Sequence, residues 1–141
     1  MPPPRRNYTI LVVEDNPGDM HLIEEAFREC GHRCNLKFAE TTERAKELLQ
    51  TVGFDLVLSD MGVRNGESAD LIRSIRSDER LKSLPIIVLS GSPDSLRAYK
   101  AGANAFIAKT MNMDEFFAKI RALMHFWVDV AELPPARPAN S

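Results

Sequence analysis

Short apolar segments alternate with amphipathic segments along most of this 141-residue chain, and this alternation constrains the fold more than any other feature. Runs of four to six residues that are apolar or alternate apolar and polar predict strands over 8–13, 34–39, 54–59, 86–89 and 105–108. Apolar residues at helical spacing predict helices that begin near Pro17, Thr42, Glu67, Ser92 and Asn112. Strands separated by helices pair in parallel, so we expect a sheet with helices on both faces.

A doubly wound α/β fold with five parallel strands in the order 2-1-3-4-5 and five helices fits these segments best. Residues 34–39 alternate apolar and polar, which favours an edge position for the second strand. In such a fold the carboxyl ends of all strands meet at one edge. Ligands bind there, at the switch point between strands 1 and 3.

Composition argues against several classes of protein. A net charge of -2, without a local basic patch, argues against nucleic-acid binding. No apolar run approaches the roughly 20 residues of a membrane span. Cys30 and Cys34 have poor zinc-ligand spacing and are interpreted as ordinary thiols. We expect a cytoplasmic protein with a disordered tail over 1–7, one domain over 8–128 and a C-terminal extension or tail over 129–141.

Polar residues follow four of the strands at the expected ligand-binding edge. Strand 1 ends at Glu14 and Asp15, strand 3 at Asp60, strand 4 at Ser90 and strand 5 at Lys109. Each one alone is an ordinary turn, cap or surface residue. Their convergence is informative, because three acids from adjacent strands must share one crevice.

Three neighbouring carboxylates raise one another's pKa unless a cation lies among them. Oxygen ligands without a nearby His or Cys suit Mg²⁺, which keeps several waters and accepts a phosphate oxygen as a further ligand. Lys109 adds a point charge suited to phosphate. The pattern therefore indicates metal-assisted phosphoryl transfer onto a carboxylate.

Four segments carry a family resemblance: ILVVEDNPGD, DLVLSD, PIIVLSGS and AGANAFIAK. With these spacings, from residue 8 to about 126, the chain resembles the receiver domains of two-component response regulators, which have the CheY-like fold. The resemblance implies that Asp60 accepts a phosphoryl group from a histidine of a partner kinase. It implies Mg²⁺, with Mn²⁺ as an alternative, bound directly by Asp15 and Asp60, by the Gly62 carbonyl, and largely through water by Glu14.

The resemblance also implies a switch. Ser90 matches the hydroxyl that moves toward the phosphoryl group, and Lys109 matches the lysine that pairs with it. Phe106 matches the aromatic residue that swings inward when the hydroxyl moves. Phosphorylation would then change the surface of helix 4, strand 5 and helix 5. Beyond accepting the phosphoryl group and releasing it, no enzymatic activity is expected.

A second resemblance concerns the partners. EDNPGD, together with apolar residues at the end of helix 5, resembles the small stand-alone regulators that are paired with bacterial phytochrome kinases. Members of that group are often dimers through their C-terminal region, so Phe126 and Trp127 are a candidate dimer surface. The downstream target is not indicated.

Two features depart from the family pattern. The loop DMGVRNG reaches Gly66 early and lacks the usual proline, which would open the site and change the metal geometry around Gly62. Thr110 follows Lys109 where the family commonly has a cis proline, and a trans bond is expected because a non-proline cis bond costs roughly 3 kcal/mol.

Three alternative functions share parts of this pattern. A pseudo-receiver would keep the fold and act as an interaction module without phosphorylation. A haloacid-dehalogenase-like phosphatase also has a strand-end Asp and Mg²⁺, but it carries a second Asp where this chain has Gly62. A flavodoxin-like cofactor binder needs a phosphate-cradling loop after strand 1, where acidic EDNPGD would repel a phosphate without a metal.

Overall fold

The computed structural model of the chain describes residues 7–62, 68–91 and 95–139. Within them, strands and helices alternate as the sequence predicts. The strands are β1 (Tyr8–Val13), β2 (Cys34–Ala39), β3 (Leu56–Asp60), β4 (Ile86–Ser90) and β5 (Ala105–Ala108). The helices are α1 (Pro17–Glu29), α2 (Thr42–Thr51), α3 (Ser68–Ser77), α4 (Ser95–Ala101) and α5 (Met113–Met124).

The strands form one parallel sheet in the order β2-β1-β3-β4-β5, which confirms the predicted fold. The register aligns Val13 with Ser59, and Asp60 with Leu89. It also aligns Ser90 with Ala108. The residues that end β1, β3, β4 and β5 therefore reach the same edge of the sheet.

The predicted boundaries of the third and fourth strands were wrong by one or two residues. β3 begins at Leu56 rather than Phe54, and it includes Asp60. The backbone nitrogen of Asp55 donates to the Thr9 carbonyl at 2.8 Å, while its Oδ2 accepts from the Thr9 nitrogen at 2.9 Å. Asp55 thus joins the start of β3 to β1 through its side chain. β4 likewise extends by one residue, to Ser90.

Each face of the sheet has its own core. Ile23, Ala26 and Phe27 of α1 pack with residues of α5 such as Phe116 and Ile120 on one face. Buried residues of α2, α3 and α4 pack on the other face. A sheet covered on both faces explains why β4 is buried along its whole length.

Helix caps fix the starts of the helices that flank the site. Asn16 Oδ1 accepts from the Asp19 nitrogen at 3.0 Å, and Pro17 occupies the first helical position of α1. Asn112 Oδ1 accepts from the Glu115 nitrogen at 2.9 Å at the start of α5. The starts of both helices agree with the predicted starts near Pro17 and Asn112 to within one residue. The predicted starts of α3 at Glu67 and of α4 at Ser92 lie outside the described residues.

Arg76 of α3 fixes the entry to β5. Its guanidinium donates to the carbonyls of Gly102, Lys82 and Leu84 at 2.8, 2.9 and 2.7 Å, and to Asn104 Oδ1 at 2.7 Å. Gly102 has a φ of +119°, and a Cβ there would lie 2.7 Å from Arg76 Cγ. Glycine is therefore required at this position, where the chain turns into the strand that leads to Lys109.

The chain continues helically past α5 in a π-helical turn, His125–Val130. Asp129 in this turn contacts His32 Nε2 and His125 Nδ1, each at 3.1 Å. Trp127 belongs to this turn and packs against the α1–α5 core.

Residues 131–139, here called the C-terminal strap, lie against the domain near the amino ends of β3 and β4. The Ala139 nitrogen donates to the Leu49 carbonyl at 2.8 Å. Gly53 faces the Ala136 backbone so closely that a Cβ would lie 3.0 Å from its carbonyl oxygen. Pro134 and Pro135 share a small cleft with Phe54 and Leu84. The part of the C-terminal extension that the structure describes is therefore packed, although its composition is typical of a solvated tail.

The described helices include none that is long and apolar enough to cross a membrane.

Candidate functional site

Three carboxylates meet at the carboxyl edge of the sheet. Glu14 and Asp15 follow β1, and Asp60 is the last residue of β3. One oxygen from each lies within 4.8 Å of the others. Glu14 is only 1% exposed, whereas Asp15 and Asp60 are partly exposed. The sequence-predicted acids are therefore brought together, with one at the floor of the crevice.

The backbone around Asp60 holds its carboxylate in place. The Asp60 carbonyl accepts from the Ser68 hydroxyl at 2.7 Å, which ties the end of β3 to the start of α3. Asp60 Oδ1 accepts from the Gly62 nitrogen at 3.0 Å. Gly62 thus lies beside Asp60, as the sequence analysis expects, although this contact uses its nitrogen. The rest of the loop, including Gly66, lies outside the described residues.

Glu14 is held by backbone donors on one side and by a cation on the other. Its Oε1 accepts from the nitrogens of Asp15 and Asn16 at 3.2 and 3.1 Å. Its Oε2 accepts from Lys109 Nζ at 2.9 Å. Burial raises the pKa of Glu14, and the hydrogen bonds from Lys109 and Asn16 offset the effect only in part.

Lys109 follows β5 and reaches three carboxylates at once. Its Nζ lies 2.9 Å from Glu14 Oε2, 3.0 Å from Asp60 Oδ2 and 2.8 Å from Asp19 Oδ2. Burial by itself would lower the pKa of Lys109, but the hydrogen bonds to Asp19, Glu14 and Asp60 outweigh it and raise the pKa. The lysine is therefore protonated and carries a full positive charge.

Asp19 is a site residue that the sequence analysis missed. The positive end of α1 favours a negative charge there whether or not Asp19 has a role in the site. Asp19 lies four residues after Asp15, in the first turn of a helix that begins at the carboxyl edge of the sheet. An acid one helical turn beyond the acidic pair is the signal that could have identified it.

The chemistry of these donors fits a hard divalent cation. The three clustered groups offer only carboxylate oxygens, and Mg²⁺ and Mn²⁺ prefer such oxygens. This acidic cluster can therefore bind a metal.

The residues of the expected switch lie on β4 and β5. Ser90 ends β4, is 3% exposed, and accepts from the Lys109 nitrogen at 2.8 Å through its carbonyl. Phe106 of β5 is half-buried, and its backbone nitrogen donates to the Tyr99 hydroxyl of α4 at 3.2 Å. The peptide bonds of the described residues include no cis bond, so Lys109–Thr110 is trans as predicted.

A groove on the outer side of β5 runs toward the π-helical turn. It encloses about 430 Å³ and is lined by Phe106, Leu123, Phe126 and Trp127, among others. Phe126 is 50% exposed and packs edge-on against Trp127, with ring centroids 5.2 Å apart. The two aromatic residues proposed as a dimer surface therefore line one wall of this groove.

Solved structures share this fold. A response regulator from R. palustris, RPA3017, described in red-light signalling, is 28% identical with a TM-score of 0.84; the match covers 90% of this chain and 98% of that one. The phosphorylated cyanobacterial phytochrome response regulator RcpA is 26% identical with a TM-score of 0.82, over 92% and 99% of the two chains. The receiver domain of the Pseudomonas aeruginosa histidine kinase PA1611, with magnesium in its active-site cleft, is 25% identical with a TM-score of 0.69, over 83% and 97%.

Sequence comparison agrees. The response regulator Rcp1 of Synechocystis is 25% identical over 137 residues, which is 90% of this chain and 93% of that protein. The family model for the response regulator receiver domain matches residues 10–121, which include the acidic cluster, Ser90, Phe106 and Lys109. The chain belongs to the response regulator receiver domain family.

Proposed function

We propose that this protein is a response regulator whose receiver domain accepts a phosphoryl group on Asp60 from a sensor histidine kinase. One observation carries the proposal. Asp60 ends the central strand with its carboxylate between the Gly62 nitrogen and the Lys109 ammonium, and it lies in the same cluster as Glu14 and Asp15. A carboxylate so placed has donors for both oxygens and remains reachable, since its side chain is 13% exposed.

The transfer forms an oxygen–phosphorus bond at Asp60. As it forms, the bond between phosphorus and the imidazole nitrogen of the kinase breaks, and its electron pair stays on that nitrogen. Lys109 is placed to pair with a phosphoryl oxygen, because its ammonium already lies 3.0 Å from Asp60 Oδ2. Glu14, Asp15 and Asp60 would hold a divalent cation, with the Gly62 carbonyl as the expected backbone ligand; when bound, it neutralises charge that develops on the phosphoryl oxygens.

Phosphorylation would act on the surface through Ser90 and Phe106. The phosphoryl group adds about -1.5 to -2 charges and new acceptors beside the end of β4. The Ser90 hydroxyl is a candidate donor to it. A shift of the loop after β4 would change the contact between Tyr99 and the Phe106 backbone, and with it the face formed by α4, β5 and α5.

Mass spectrometry of the intact protein tests the acceptor. After incubation with acetyl phosphate and Mg²⁺, the parent is expected to gain one phosphoryl group and Asp60→Asn none. Asp70→Asn, which removes an exposed acid of α3, is the matched control and should behave as the parent.

Other outcomes point to the alternatives. No gain in the parent under any condition supports a pseudo-receiver. Continuous release of phosphate from small phosphate esters supports a phosphatase. The proposed activity is limited to self-phosphotransfer and autodephosphorylation, so a loss of label with time, without turnover of esters, agrees with it.

The proposed kinase partner is a bacterial phytochrome. Support comes from the similarity to RcpA and to RPA3017, which are described in phytochrome and red-light signalling. The kinase reaction uses ATP, so the cytoplasm remains the proposed location. Transfer of labelled phosphate from a purified bacteriophytochrome, but not from a chemotaxis kinase, would support this pairing, and equal transfer from both would remove it.

We further propose a homodimer through the groove beside β5. An edge strand, a half-exposed Phe126 and Val130 at 63% exposure leave apolar surface on this side of the domain. A second copy would cover these residues.

Size-exclusion chromatography tests the dimer. The parent is expected to elute as a dimer, and Phe126→Ala and Trp127→Ala as monomers. Met111→Ala, which removes a fully exposed apolar side chain outside the groove, should leave elution unchanged. If both aromatic variants elute as the parent does, this interface is rejected.

A further inference from the structure

We propose that Asp19 is a positioning residue for Lys109: it holds the ammonium at the mouth of the crevice, so that the oxygens of Glu14 and Asp60 can bind a divalent cation. The inference deepens the proposed function and rests on it.

The three partners of Lys109 differ in depth. The side chain of Glu14 is 1% exposed, that of Asp60 13% and that of Asp19 39%. Lys109 itself is 20% exposed. The ammonium thus lies between two inner carboxylates and one outer carboxylate.

Only the inner partners belong to the metal-binding group. The carboxylate oxygens that lie within 4.8 Å of one another come from Glu14, Asp15 and Asp60, and Asp19 is outside this set. Lys109 therefore occupies one oxygen on each of two expected metal ligands, Oε2 of Glu14 and Oδ2 of Asp60. A divalent cation and an ammonium compete for the same lone pairs and repel each other.

Asp19 resolves this competition because, among the described residues, its carboxylate is hydrogen bonded to Lys109 and lies outside the metal-binding group. The contact between Lys109 Nζ and Asp19 Oδ2 is 2.8 Å, as short as the inner contacts. The lysine stem is flexible, so a small tilt outward keeps this ion pair while releasing the inner oxygens. The ammonium then stays close enough to meet a phosphoryl oxygen at Asp60.

Both ends of the pair are fixed to the fold. Asp19 is in the first turn of α1, where its backbone nitrogen donates to Asn16 Oδ1 at 3.0 Å. The positive end of the helix also favours its negative charge. The Lys109 backbone is anchored by its nitrogen to the Ser90 carbonyl at 2.8 Å. The lysine therefore pivots over a short distance between fixed points.

A double-mutant cycle on metal affinity tests the proposal. Mn²⁺ binding is measured by electron paramagnetic resonance of the free ion for the parent, Asp19→Asn, Lys109→Met and the double variant. Asp19→Asn is expected to weaken Mn²⁺ binding about two- to fivefold in the parent, the scale of a half-exposed ion pair. In the Lys109→Met background the same substitution should have a clearly smaller effect.

This coupling separates positioning from simple attraction. If Asp19 acted only as a nearby negative charge, its removal would weaken Mn²⁺ binding equally in both backgrounds, and the proposal would be overturned. An unchanged affinity in Asp19→Asn would overturn it too. Glu24→Gln, which removes an exposed acid from the same helix, controls for net charge.

Further variants keep the result interpretable. Asp19→Glu should bind Mn²⁺ more tightly than Asp19→Asn and nearly as tightly as the parent. It keeps a carboxylate that can pair with Lys109, and its longer side chain lies at a partly exposed position. Lys109→Gln replaces Lys109→Met if circular dichroism shows loss of structure. If the parent binds no Mn²⁺ at all, the metal part of the proposed function fails together with this inference; binding without coupling removes only the role of Asp19.

Discussion

Lys109 shows how a single side chain can depend on several elements. Its ammonium contacts acids that follow β1, lie in α1 and end β3, and its backbone is hydrogen bonded to the end of β4. An arginine there would present a planar fork instead of a compact point charge, so it would not reproduce these three contacts. The position of the Lys109 charge therefore depends on β1, α1, β3 and β4 together.

Cys34 offers a test of side-chain environment away from the site. Burial raises the pKa of its thiol to about 12, and Cys30 and Asp55 nearby add to the effect. The thiolate is the reactive form, so at pH 8 only about 10⁻⁴ of Cys34 is reactive. Greater nucleophilicity of the thiolate offsets part of this, and alkylation by iodoacetamide should be roughly a hundredfold slower than for a free cysteine.

The raised pKa of Cys34 also determines how its alkylation rate changes with pH. Because the pKa is raised, the rate should climb about tenfold per pH unit from pH 8 to 10, where a free thiol of pKa about 8.5 levels off. Trypsin cleaves after Arg33 and separates the two cysteines, so mass spectrometry of the peptides resolves each rate. A plateau for Cys34 in this range would show that the thiol is not shielded, and the unfolded protein in urea provides the reference.

Most residues of the site could be predicted from the sequence because they lie where the predicted strands end. Glu14, Asp15, Asp60, Ser90 and Lys109 could be located because each follows an apolar run. Asp19 and Arg76 could not be identified in this way, because their roles depend on partners far along the chain. Arg76 meets Gly102 and Asn104, 26 and 28 residues later, and nothing in the local pattern indicates that pairing.

Among the elements, the C-terminal strap has the clearest energetic consequence. Removal of residues 134–141 takes away the Ala139–Leu49 hydrogen bond and uncovers Phe54 and Leu84, which are 3% and 7% exposed. One hydrogen bond and this apolar burial together suggest a loss of about 1–3 kcal/mol in the free energy of unfolding. Urea denaturation would measure it.

A matched deletion sharpens the test of the strap. Removal of residues 140–141 alone, which keeps the Ala139–Leu49 hydrogen bond, is the matched control. Phosphorylation of Asp60 should survive both deletions, since the strap lies at the amino edge of the sheet and the site at the carboxyl edge. Equal stability of the two shortened proteins would mean that the strap contributes nothing.

The ends of the elements show where sequence patterns lose accuracy. The starts of α1 and α5, where Asn16 and Asn112 cap the helices, lie where the sequence predicts them because cap chemistry is local. The strap was not foreseen, because a proline-rich stretch has the same composition whether it is solvated or packed. Its packing depends on Gly53, whose missing side chain admits the Ala136 backbone.

For the whole molecule, topology explains why so much was predictable. Parallel strands joined by helices bring all carboxyl ends to one edge, so the crevice follows from the strand count and order. The order β2-β1-β3-β4-β5 puts β1 beside β3, and with them Glu14 and Asp15 beside Asp60. Distances and depth within the crevice, which decide the role of each acid, required the structure.

The strap also determines how the protein would respond to tension. A load applied to the chain beyond residue 139 would act first on the contacts of the strap, which include the hydrogen bond from Ala139 to Leu49. Release of residues 131–139 would lengthen the chain by about 30 Å. β1 is paired along both sides, with β2 and with β3, so rupture of the sheet requires many bonds to shear together. The strap would thus yield first, and the phosphorylation site would stay folded under forces that have already drawn the end of the chain taut.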